Sequence, residues 1–263
     1  DYPMKYLPGL FLGFFCLAAH ASEWTASADV AALFKQAGVT GTFVVYDIDA
    51  DRYLGYHRSR AETRFVPAST FKIANTMIGL SVGAVENVDE VLPYGGAPQP
   101  FKSWERDMSL REAIALSNAT IYQVLARRIG LERMRKNVTE LQYGNSDIGT
   151  RVDTFWLEGP LAISAVEQSR FLARLVAGDL PFPQHVQRIT REIVRLEQGE
   201  DWTLYGKTGW MNAPGSGVGW WVGWIEKDER AYTFALNIDS LKSSDAGKRI
   251  ELGKASLEAV GVR

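Results

Sequence analysis

The chain has 263 residues, 46% of them hydrophobic and 11% aromatic. That is enough for one large domain, or one with a subdomain, around a sizeable core. The formal net charge of −2 argues against a nucleic-acid partner held through its phosphates, and the basic cluster Arg127, Arg128, Arg133, Arg135 and Lys136 falls in a helical pattern, where it reads as a solvated face.

Asp1-Tyr2-Pro3 precede Met4 and read as upstream residues. From Met4 a positive charge at Lys5, the apolar run Leu10-Phe11-Leu12-Gly13-Phe14-Phe15-Cys16-Leu17 and the small-x-small ending Ala19-His20-Ala21 have the form of a secretory signal peptide. Its apolar run is short for a membrane span, and Phe15 is too large for the residue before a lipid-modified cysteine. The reading is therefore residues 1–21 as upstream and signal segment, 22–263 as a single domain, export to a periplasm, and no membrane attachment after cleavage. Cleavage after Ala21 would remove Cys16, the only cysteine, leaving no thiol and no disulfide.

Glu23 to Gln36 reads as a helix with Val30, Leu33 and Phe34 on one side. Thr42 to Ile48 is a strand, Asp49-Ala50-Asp51 a turn, and Arg52 to His57 the returning strand of a hairpin. Arg64-Phe65-Val66 leads into Pro67-Ala68-Ser69-Thr70-Phe71-Lys72, where Ser69 opens a helix that is apolar on most sides through Leu80. Such a helix belongs in a core. Pro93 to Pro100 is a loop. Ser109-Leu110-Arg111-Glu112 and Ser164-Ala165-Val166-Glu167 are capping boxes, the second opening a helix to about Ala177. Between them Ile121 to Ile129, stopped by Gly130, and Leu131 to Leu141 are helices. Trp202 to Gly209, Trp220 to Ile225 and Ala231 to Ile238 are strands, with a tight hairpin at Lys227-Asp228-Glu229, and Gly247 to Ala259 closes as a helix. Strands at both ends and helices between predict an α+β fold: one antiparallel sheet built from both termini, flanked by helices, with a mostly helical middle subdomain.

Chemistry concentrates at four short motifs. In Ser69-Thr70-Phe71-Lys72 the i, i+3 spacing puts hydroxyl and amine on one helical face, one turn apart. The hydroxyl lies near the positive end of the helix, and burial of the amine lowers its pKa and makes Lys72 a base for a serine nucleophile. The same four residues would equally fit a helix cap followed by an exposed lysine. Ser117-Asn118-Ala119 offers a second hydroxyl at a helix end, or a mere cap, and Tyr143-Gly144-Asn145 is by itself an ordinary turn. Lys207-Thr208-Gly209 sets a cation and a hydroxyl on a strand, with a glycine where a ligand can approach the backbone. Gly206-Lys207-Thr208 is not a phosphate-binding loop: Asp201 stands where that motif needs its first glycine, and Trp210 follows where a helix should. His20, His57 and His185 form no metal-ligand pattern, and the triplets Asn118-Ala119-Thr120 and Asn137-Val138-Thr139 read as chance matches to a glycosylation site.

In this order the four motifs resemble the penicillin-recognising serine acyltransferases, and in detail the class D β-lactamases, the oxacillinases. Phe155-Trp156-Leu157-Glu158-Gly159-Pro160-Leu161 and Gly219-Trp220-Trp221-Val222-Gly223-Trp224 are similar to further segments of that family. The likeness runs from about Gly41 to the closing helix. It implies a β-lactamase/transpeptidase-like catalytic domain over 22–263, a small-molecule β-lactam as substrate, a monomer or homodimer, and no separate cofactor. It further implies that carbon dioxide carboxylates Lys72 to a carbamate, a general base for acylation and deacylation steadied by the indole N–H of Trp156. Ser69 would be the nucleophile, and the backbone N–H groups of Ser69 and Trp210 the oxyanion hole. Ser117 and Lys207 would relay a proton to the departing ring nitrogen. Thr208, Gly209, Trp210 and Arg249 would hold the substrate. Ala119 stands where the family usually has valine, which implies altered carbon dioxide retention or a changed deacylation rate. A penicillin-binding sensor that acylates without turnover and a cell-wall transpeptidase share the same plan. Substrate preference is expected to depend on loops around Trp104, 213–217 and 241–245.

Overall fold

The computed structural model describes residues 22–211, 217–239 and 246–263. The expected signal segment, and nearly all of the loops at 213–217 and 241–245, lie outside them.

The first element differs from its expectation. Glu23–Ala26 is a strand, β1, and the helix, α1, runs over Ala28–Ala37. Trp24 decides this. Its ring packs 6.1 Å from Tyr53 and over Gly55, where a side chain would crowd it. Ser27 ends the strand by donating its N–H to the Gly55 carbonyl, and caps α1 by accepting from Val30 N. β2 (Gly41–Asp47) and β3 (Arg52–Tyr56) form the expected hairpin, followed by a short α2 (Arg58–Ala61).

A 3₁₀ turn over Ala68–Phe71 leads into α3 (Lys72–Ser81), which is buried along most of its length. The two-residue strands β4 (Val91–Leu92) and β5 (Met108–Ser109) pair beside it. Both capping boxes form, at the starts of α4 (Leu110–Ala115) and, later, α7 (Ala165–Ala177). Between them lie α5 (Ala119–Ile129) and α6 (Leu131–Leu141). Their basic cluster is solvated and ion-paired, Arg127 with Asp153, Arg128 with Glu90 and Arg135 with Glu132. Like α2, β4 and β5, two further elements had no sequence expectation: α8 (Gln184–Ile193) and β6 (Arg195–Gln198).

β7 (Trp202–Met211), β8 (Val218–Lys227) and β9 (Arg230–Asp239) complete one seven-stranded sheet in the order β1-β3-β2-β9-β8-β7-β6. All its pairings are antiparallel except β1 with β3. Asp228 and Glu229, both at positive φ, make the two-residue turn of the β8–β9 hairpin. The closing helix, α9, spans Lys248–Ala259. With α1 it covers one face of the sheet, where Val30, Phe34, Trp221, Ile225, Leu252 and Leu257 form one core. Trp220, Val222 and Trp224 point to the other face, into a larger core with α3, α5, α6 and α7. The alternation of three tryptophans along β8 thus serves two cores, as a strand covered on both faces requires. No helix among the described residues is long and apolar enough to cross a membrane.

Candidate active site

The site forms where the 3₁₀ turn, the end of α4 and β7 meet. The serine does not open an α-helix as expected. It sits one turn ahead of α3, in the 3₁₀ segment, and Lys72 is the first residue of α3. In a 3₁₀ turn residues i and i+3 eclipse one another, so the chain still brings Lys72 Nζ to 2.7 Å from Ser69 Oγ. The turn is strained: Ala68, just before the serine, has φ +49°.

Ser69 is half-buried, whereas Lys72 is fully buried. Burial, and then the charge of Lys207, hold the Lys72 amine well below its ordinary pKa. Its Nζ lies 5.3 Å from the centre of the Tyr122 ring, whose hydroxyl is bonded to Thr76 at 2.8 Å, and Thr76 Oγ1 donates to the Lys72 carbonyl. Neighbouring Phe71 stacks on Trp156 at 5.8 Å. The Trp156 indole Nε1 is buried and has no hydrogen-bond partner. Such an orphan donor is unusual in a folded protein and points to a missing acceptor.

The second motif adjoins the first through β7. Lys207 Nζ donates to Ser117 Oγ at 2.9 Å and to the Thr208 carbonyl at 3.0 Å. Burial, with Arg249 nearby, lowers the Lys207 pKa to about 7. Ser117 itself has φ +55°, a left-handed conformation that strains a residue with a Cβ. Ala119 opens α5 behind it and is half-buried.

Gly209 makes a close backbone approach to the Ala68–Phe71 turn: a Cβ here would lie 2.9 Å from the Pro67 carbonyl oxygen and 3.0 Å from the Thr70 methyl. The glycine lets β7 press against that turn and carries Trp210 beside it. The Arg249 guanidinium lies 5.1 Å from the Trp210 ring. Its Nε and Nη1 are buried without partners, and burial lowers its pKa to about 10. Among the described residues no carboxylate pairs with this cation.

Sequence reasoning missed the residues that brace this arrangement. Tyr143 Oη donates to Gln168 Oε1 at 3.4 Å, Gln168 Nε2 to Thr70 Oγ1 at 2.8 Å, and Thr70 Oγ1 to the Pro67 carbonyl at 2.8 Å. All three side chains are buried, and each donor meets one acceptor in a single direction. Gln168 and Thr70 lie far apart in the chain and carry no local signal. Tyr143 had one, as part of Tyr143-Gly144-Asn145.

A hydroxyl beside a buried amine, a second hydroxyl on a second amine and an unpaired arginine are the parts of an acyl-transfer site for an anionic substrate. The "Penicillin binding protein transpeptidase domain" family matches residues 38–258. The chain is 42% identical to "Probable beta-lactamase YbxI" of Bacillus subtilis over 199 residues, 76% of this chain and 74% of that one. It is 37% identical to "Beta-lactamase OXA-5" of Pseudomonas aeruginosa over 232 residues, 87% of each. Among solved structures, FUS-1 (OXA-85), a class D β-lactamase from Fusobacterium nucleatum subsp. polymorphum, is similar with a TM-score of 0.88 and 42% identity, over 90% of this chain and 99% of that one.

Proposed function

The chain belongs to the class D β-lactamases, and on that footing we propose that it hydrolyses β-lactam antibiotics through a covalent acyl-enzyme on Ser69. The observation that carries this is the Ser69–Lys72 pair: a half-buried hydroxyl 2.7 Å from an amine whose charged form burial disfavours.

Lys72 is the residue placed to take the Ser69 proton. Ser69 Oγ then bonds to the lactam carbonyl carbon, and the ring C–N bond breaks. The backbone N–H groups of Ser69 and Trp210 stabilise the oxyanion of the tetrahedral stage. Ser117, on Lys207, delivers a proton to the departing nitrogen. The Thr208 hydroxyl and the unpartnered Arg249 guanidinium hold the substrate carboxylate, and a half-buried cation with orphan donors gains most from such a partner. Water then cleaves the ester and frees Ser69.

The site also fits carboxylation of Lys72. Carbon dioxide reacts with a neutral amine, burial favours that form here, and the orphan Trp156 N–H is a ready donor for the resulting oxygens. When formed, the carbamate supplies an anionic base in place of a neutral one. Purified protein should turn over a chromogenic β-lactam continuously and faster with added bicarbonate, and Ser69→Ala should abolish turnover. One stoichiometric burst ending in a stable Ser69 adduct would instead make it a penicillin-binding sensor.

A further inference from the structure

The loop over 97–105 grips the Ser117 segment from both sides. Trp104 donates its indole N–H to the carbonyl of Leu116 at 3.2 Å, one residue before Ser117. Thr120, three residues after it, donates its hydroxyl to Gln99 Oε1 at 2.5 Å. Gln99 is itself braced inside the loop. Its Nε2 donates to the Ala97 carbonyl and its N–H to Glu105, which pairs with Lys102.

Ser117 needs such a grip. Its φ of +55° is one that a non-glycine residue leaves unless its surroundings hold it. The bonds within the segment, Ser117 N–H to the Ile114 carbonyl and Asn118 N–H to the Ala113 carbonyl, tie it to the end of α4. The Asn118 side chain caps α5. The loop supplies the outside support, before and after the strained residue.

We propose that Gln99 and Thr120 are positioning residues: with Trp104 they clasp the Ser117 segment and hold the Ser117 hydroxyl on Lys207. This rests on the reading of Ser117 and Lys207 as the proton path. Releasing the clasp lets Ser117 relax away from Lys207. The lysine then loses a hydroxyl that accepts from its charged form, while its burial and the Arg249 charge that faces it stay in place. Its pKa therefore falls further.

The test compares Thr120→Val, which keeps the shape and removes the donor, with Thr120→Ser, Gln99→Leu and Ser117→Ala, using a chromogenic β-lactam. Thr120→Val and Gln99→Leu should lower kcat about tenfold with KM within about twofold. They should also move the alkaline limb of kcat/KM to lower pH, and Thr120→Ser should restore both. An unchanged kcat and unchanged limb in Thr120→Val, with Ser117→Ala impaired, would overturn the clasp alone, whatever happens to Tm. Full activity in Ser117→Ala would overturn the proton path itself, and the clasp with it.

Discussion

Among the described residues no carboxylate pairs with either of the two buried lysines of this site, and a buried lysine left so is a candidate for chemistry. Lys72 and Lys207 lie beneath two half-buried hydroxyls; burial lowers the proton affinity of both, with the charge of Lys207 adding to it at Lys72 and that of Arg249 at Lys207. If Lys72 is the base, Lys72→Arg should lower turnover about a thousandfold, because a guanidinium keeps its proton; retention of more than a tenth of wild-type kcat would exclude that role. If Lys207 must be charged to supply a proton, activity falls as pH rises through about 7. Lys207→Arg should then lose most of the turnover, because a guanidinium does not give up its proton; wild-type kcat in that variant would exclude Lys207 as the proton source. The Ser69–Lys72 spacing was legible because both residues share one turn. The expected α-helix was a 3₁₀ turn, yet i and i+3 meet in either. The orphan donors of Trp156 and Arg249 were not legible as geometry, since a missing partner shows only once the fold surrounds it.

The critical contact between elements is β7 against the 3₁₀ turn. Gly209 sets its closeness, and the relay Tyr143–Gln168–Thr70 sets its direction by fixing the Pro67 carbonyl. Gly209→Ala puts a Cβ 2.9 Å from that carbonyl oxygen, too close for both to stay in place, and neither backbone can yield without moving Ser69 relative to Trp210. We expect kcat to fall about a hundredfold, consistent with the loss of one oxyanion donor, while the protein still folds. An unchanged kcat at a lowered Tm would show the contact to be structural only. Elements specified by neighbours in sequence were the legible ones: both capping boxes, the helix stop at Gly130 and the β8–β9 hairpin. β1 was misread because its partner, β3, lies 29 residues on, as in Glu23 with Arg52, and Trp24 answers to Tyr53 and Gly55 rather than to helical periodicity. The turn–strand contact joins Pro67 to Gly209 and left no periodic trace at all.

For the molecule as a whole, the sheet built from both ends of the chain was readable from the run of strands, whereas its two cores, one on each face, show only in the structure, where Trp220 and Trp221 of β8 point to opposite sides. α8 was not readable, since Gln184–Ile193 is mostly polar and its buried Val186, Gln187, Thr190 and Ile193 form a narrow stripe. The packed fold works against the site it carries. Burial brings Lys207 from 10.5 down to about 7, so between those values the unfolded chain binds more protons than the folded one, and stability rises with pH. Lys72 acts in the same direction, and Arg249 adds to it above about 10. Lys207→Met, which removes the charge and keeps the apolar stem, should therefore stabilise the inactive protein at pH 7 or below. At about 1.4 kcal/mol per pKa unit, with relaxation and the lost Ser117 contact set against it, the gain should be on the order of 1–3 kcal/mol. That corresponds to several degrees in Tm, at roughly 2–4 °C per kcal/mol for a domain of this size. The gain should shrink as pH rises through this range and vanish only above 10.5, where the lysine becomes neutral in both states. Thermal melts of wild type and Lys207→Met across that range decide it: a difference that did not depend on pH would mean Lys207 is not destabilised by burial, and its place in the proton path would lose its physical basis.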